Sequence, residues 1–188
     1  MKKKVILVLS AIVAIEIACI VSICSRKSSA RLIEDVTVRE VAPQAVLYTI
    51  YRGHYEEVGP YINKLYELAE EKNLIPIGPY STGYLNNPLL VSDDHWLIEI
   101  RIPVSMDSLM LAGTLGEMTD VKLMPAMKVV AAVKPEGQLN PEPVIRGLYA
   151  LINQRGYRIA GGMWQSVLCN KDSEDYSKMR TEFMIPVL

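Results

Sequence analysis

The chain has 188 residues, half of them apolar and 22% charged, which excludes a disordered chain and a multi-span membrane protein. Its formal charge of −1 hides an imbalance: residues 1–31 hold six of the twenty basic residues and one of the twenty-one acidic ones, so the remainder carries 14 basic against 20 acidic. A folded part at −6 with no basic stripe argues against sequence-independent nucleic-acid binding. Three cysteines with no CxxC, and two histidines far apart, argue against a structural zinc or any other metal site.

The chain opens on Lys2, Lys3 and Lys4, then an apolar run from Val5 to Cys24, then Arg26, Lys27 and Arg31. Twenty helical residues span about 30 Å, the thickness of a bilayer core. Glu16 interrupts the run at a cost of about 3 kcal/mol on insertion scales, which the surrounding Ile, Val and Leu offset. Lipidation at Cys19 is opposed by Glu16, and at Cys24 by Ile23. Cleavage after Ser28-Ser29-Ala30 would leave a long apolar segment and two basic residues before the cut. An uncleaved transmembrane anchor over 1–31 fits best. The flanking charges nearly balance and lean towards a folded domain outside the cytoplasm.

Residues 32–188 contain an internal repeat. Ile102-Pro103-Val104 recurs 83 residues later as Ile185-Pro186-Val187, and the same offset pairs Tyr66 with Tyr149, Gly78 with Gly161, Asn87 with Asn170 and Glu99 with Glu182. Twelve of 45 positions agree without a gap. Upstream, Pro43 pairs with Pro125 at an offset of 82, which predicts a one-residue change before the helix. The chain thus reads as module one (34–104), a joining segment (105–120) and module two (119–188).

Each module is predicted as strand, helix, strand, strand. Gln44 to Arg52 alternates and is rich in β-formers. Val58, Tyr61, Ile62, Leu65, Leu68 and Ala69 form one helical stripe. Ile77 to Leu85 reads as a strand, Asn86-Asn87-Pro88 and Ser92-Asp93-Asp94 as turns, and Trp96 to Val104 as the last strand. In the second copy Asn140 caps a helix with Pro141 at its first position, and Gly156 ends it. Tyr157 to Leu168 and Met179 to Val187 follow as strands, with Lys171 to Ser177 between them. The expected fold is α+β, a tandem pseudo-twofold repeat with a cleft at its axis.

Strand alternation places Glu182 with Arg180, Met184 and Pro186, opposite Phe183, Ile185 and Val187. Glu99 likewise sides with Leu97, Arg101 and Pro103. Each glutamate therefore projects from the face its helix does not cover. A carboxylate in an apolar cleft prefers a cationic ligand or takes up a proton. Ten Tyr and two Trp against one Phe suit cleft walls with polar tips, which makes Tyr48, Tyr66, Tyr149 and Trp164 candidate ligand contacts. Trp164 and Met163 lie on alternate faces, so at most one lines the cleft. Catalytic and cofactor motifs (GxSxG, P-loop, GxGxxG, HExxH) are absent, so no cofactor is expected.

The order of Pro43, Gly53-His54-Tyr55, Gly78-Pro79, Asn86-Asn87-Pro88, Glu99-Ile100-Arg101-Ile102-Pro103-Val104, Gly161, Glu182 and Ile185-Pro186-Val187 resembles the GyrI-like small-molecule-binding family over residues 34–188. The resemblance implies a tandem of such modules whose central cleft holds bulky, often cationic aromatic compounds against aromatic side chains and an acidic residue, here Glu182 with Glu99 as its symmetry mate. It also implies a second possibility, hydrolysis of cyclopropane-bearing alkylating compounds by that residue. The expected partners are a small molecule and, through the leader, a membrane. Before residue 34 the apolar run leaves no place for a helix-turn-helix, and Pro135-Glu136-Gly137 stands where the second copy would match Gly53 and Tyr55.

Overall fold

The computed structural model describes residues 36–86, 90–116, 118–134, 140–168 and 180–188. The apolar leader, Asn87, Asn170 and the segment 171–177 lie outside the described residues. Among the described residues no helix is long and apolar enough to cross a membrane.

Among the described residues, eight strands and two α-helices make an α+β fold. The order is β1 (Val36–Val41), β2 (Gln44–Arg52), α1 (Gly59–Glu71), β3 (Ser81–Tyr84), β4 (Leu97–Val104), β5 (Thr119–Met124), β6 (Met127–Lys134), α2 (Glu142–Arg155), β7 (Trp164–Val167) and β8 (Thr181–Val187). All strands join one antiparallel sheet in the order β1-β6-β8-β7-β3-β4-β2-β5. The offset of 83 holds in its registers: Val36 faces Ala132 as Thr119 faces Thr49, and Ser81 faces Arg101 as Trp164 faces Met184. Thr82 stands opposite Gln165, its own counterpart, so the pseudo-twofold axis runs through that pair.

Two features depart from the sequence expectation. First, each copy begins with an additional strand, and these two strands are exchanged: β1 precedes the first copy but pairs with β6 of the second, while β5 precedes the second and pairs with β2 of the first. The connections explain this. A two-residue hairpin needs positive φ at its first turn residue, which proline cannot adopt and alanine rarely does, and neither link has one. Ala42-Pro43 and Pro125-Ala126 therefore carry the chain onward to the far half. The offset stays at 83 through these connections, so Pro43 and Pro125 take different places in equivalent links and no residue is inserted. Because three peptide steps reach at most about 10 Å, the links also hold opposite ends of the sheet close together and curl it.

Second, β3 and β7 are shorter than predicted. In the register of β3 and β4, Pro79 would stand opposite Pro103, and neither has an N–H to give the ladder. Pairing resumes only at the isolated bridge between Pro76 and Val104, matched in the second half by Ile159 and Val187. Around α2 the prediction shifts by one residue. The helix begins at Glu142, whose N–H donates to Asn140 Oδ1 at 2.9 Å, and Gly156 ends it at φ 68°.

The helices cover the convex face of the sheet. Leu65 and Ala69 of α1 pack on Ala45, Leu47, Ile98, Ile100 and Ile102, and Leu148, Leu151 and Ile152 of α2 pack on Val130, Phe183 and Ile185. The segment joining the halves adds Leu109, Leu111 and Leu115 to the first of these clusters. Among the described residues the concave face carries no helix.

Candidate functional site, a groove on the concave face

Alternation along the strands turns Glu182, Met184 and Pro186 of β8, and Arg101 and Pro103 of β4, into a groove of about 350 Å³. Ser81 of β3, Trp164 and Ser166 of β7, Arg39 of β1 and Gln44 of β2 complete its polar rim. Its apolar walls include Val41, Met124, Pro125 and Met127, so the two exchanging links form one side. The volume lies at the lower end of the small-molecule range.

Each glutamate has a basic partner supplied by the exchanged strand. Arg39 of β1 reaches Glu182 at 2.8 Å, and Lys122 of β5 reaches Glu99 at 2.7 Å. Arg39 and Lys122 are 83 residues apart, so the ion pairs are symmetry mates. Their surroundings differ. The Glu99 side chain is 4% exposed with Oε1 unpartnered, whereas that of Glu182 is 17% exposed and opens on the groove.

Trp164 accounts for much of this difference. Its ring lies on Gly83, where an added Cβ would come within 2.5 Å of Cε3. The guanidinium carbon of Arg101 sits 3.3 Å from a Trp164 ring centroid. Arg101 Nε donates to Ser81 Oγ at 2.9 Å, and Nη1 meets the thioether of Met124 at 3.3 Å. Burial lowers the guanidinium to about 10, an effect that the charge of Glu99 partly opposes. Among the described residues there is no carboxylate within ion-pair distance of Arg101.

Of the six residues singled out from sequence, Glu182 and Trp164 line the groove. Glu99 and Tyr48 lie on the same face but in the closed half. There Lys122 sits 4.2 Å from the Tyr48 ring centroid, and burial, then Asp120 and Glu99, raise the Tyr48 hydroxyl above its ordinary value. Tyr66 packs on the α1 side of the sheet, and Tyr149 is exposed on α2, so both are across the sheet from the groove. Met163 packs on the convex side, opposite Trp164.

Among the described residues the groove is not the tyrosine-rich cleft expected from composition. Tyr51, Tyr55, Tyr61, Tyr80 and Tyr84 all join the α1 cluster, and no groove wall among the described residues is a tyrosine. At the axis on that convex side, Tyr55, Thr82 and Gln165 share a hydrogen-bonded network.

Sequence reading missed Arg39, Lys122, Ser81 and Ser166 as site residues. The recurrence of a basic residue at 39 and 122 was a usable signal, hidden because Arg and Lys do not score as identical. Among the described residues no three His, Cys, Asp or Glu side chains come together to hold a metal ion.

No family model and no curated protein matches the chain. Solved structures do. The C-terminal domain of EcmrR is 15% identical at a TM-score of 0.65, over 81% of this chain and 96% of that one. A hydrolase from Listeria innocua is 12% identical at 0.61, over 82% and 92%. SAV2435 bound to tetraphenylphosphonium is 12% identical at 0.51, over 81% and 93%. At these identities the likeness shows a shared fold, that of a curled antiparallel sheet with few helices.

Proposed function

We propose that this protein is a membrane-tethered small-molecule-binding protein whose concave groove holds an apolar or cationic aromatic compound. The observation that carries this reading is a groove of about 350 Å³ with mostly apolar walls and a few convergent polar groups, on the sheet face that no helix among the described residues covers. A protein of the same fold that binds tetraphenylphosphonium supports it. An apolar compound needs only the walls. A cation would also need Arg39 to release Glu182, so the apolar ligand is the form the geometry favours.

The test is titration of the full chain with a neutral apolar fluorophore. Met184→Trp, which fills the groove, should abolish binding, and Tyr149→Ala on the far side should leave it unchanged. Equal binding by both variants would remove the groove from the reading. Turnover of a strained cyclopropane-bearing electrophile that ceases in Glu182→Gln would place the chain in the hydrolase class instead. Retention in the membrane fraction through a carbonate wash, with an intact N-terminus, tests the tether.

A further inference from the structure

We propose that the groove selects acids: a compact apolar molecule bearing a carboxylate, anchored by Arg101 and the hydroxyls of Ser81 and Ser166. The inference rests on the groove as a small-molecule site and names the class of ligand it takes.

Arg101 is 8% exposed, lines the groove, and has a hydroxyl and a thioether as its hydrogen-bond acceptors. A guanidinium presents five N–H donors in a planar fork that matches a carboxylate. A buried cation is costly unless it is paired. Among the described residues the nearby acids are already engaged. Glu182 is held by Arg39, Glu99 by Lys122, and Asp120 Oδ2 accepts the Gly113 N–H at 2.6 Å.

Ser81 and Ser166 stand opposite each other across the axis, in the same cross-strand row as Arg101 and Glu182. Because Ser81 Oγ accepts from Arg101, its own proton remains for a ligand. The guanidinium carbon rests 3.3 Å from a Trp164 ring centroid, and Arg101, Ser81 and Ser166 together line the groove. Among the described residues the lining charges, Arg39, Arg101 and Glu182, leave one positive charge over, which an acid completes and a cation opposes. The groove's volume accommodates an apolar body of two fused rings.

The experiment titrates the purified full chain with three probes of one shape, 2-naphthoate, 2-naphthamide and 2-naphthylmethylammonium. The expected order is naphthoate at least tenfold tighter than naphthamide, with the ammonium weakest. Arg101→Met installs the residue that occupies the equivalent position 184 in the second half. It should erase the preference for naphthoate over naphthamide. The Arg101 Nε–H resonance of the unaltered chain should also shift with naphthoate and stay in place with naphthamide, a reading independent of how the variant folds. Naphthamide binding as tightly as naphthoate, or the ammonium binding tightest, overturns the acid preference and leaves the groove standing. Failure of all three to bind overturns the groove itself.

Discussion

The two halves of the sheet share one backbone plan and fill it differently. Positions 48, 81, 83 and 101 in the first half are Tyr, Ser, Gly and Arg; their counterparts 131, 164, 166 and 184 are Ala, Trp, Ser and Met. Trp164 crosses the axis and lies on Gly83, so the second half's large side chain closes the first half around Glu99. Ser81, its small counterpart, leaves the space beside Glu182 open. Pseudo-symmetry thus supplies two equivalent recesses, and one Ser/Trp exchange decides which stays open. Glu99 and Lys122 became a structural ion pair, and Glu182 and Arg39 a pair on the groove wall.

The strongest way to break this comparison is to remove the cation from each pair. Lys122→Met strands the buried Glu99 carboxylate and should cost about 3 kcal/mol in urea unfolding. Adding Glu99→Gln to that background should return most of the loss. Arg39→Met leaves a carboxylate that groove water reaches, and should cost about 1 kcal/mol or less. Equal losses would mean that the halves are not differently closed.

Next in size is Gly83→Ala. The added methyl meets the Trp164 ring and must push it off the strand, at about 1–3 kcal/mol. The displaced indole should loosen Arg101 as well, seen as a change in Trp fluorescence. Ser166→Ala, at the equivalent position, should leave both stability and fluorescence nearly unchanged.

The smallest effect sharpens the contrast in tyrosines. Burial, then Tyr55 and Glu56, push the Tyr84 hydroxyl up to about 12, while its counterpart Val167 does not titrate. The native state holds the proton above the ordinary value of 10, so this contribution to stability is whole below pH 10 and is lost as pH rises towards 12. Amide exchange around α1 should accelerate across that window before exchange around α2, and Tyr84→Phe should reduce the difference. Simultaneous loss in both halves would show that the sheet opens as one unit.

What the sequence determined by itself was local and periodic. Alternation in Ile98-Glu99-Ile100-Arg101-Ile102 and in Glu182-Phe183-Met184-Ile185 sets which side chains leave the helix-covered face, because a strand side chain has only two directions. The helical stripes and the 83-residue repeat were legible for the same reason, since they depend on spacing along the chain. Tertiary structure decided which strands meet. Nothing within Val36–Val41 or Thr119–Met124 states that each pairs in the opposite half; that follows from proline links that cannot turn and from a sheet that curls to join its ends. The exchange then delivers Arg39 to Glu182 and Lys122 to Glu99 across 143 and 23 residues. It is also packing, through one indole over one glycine, that closes the recess around Glu99 and keeps the groove beside Glu182 open.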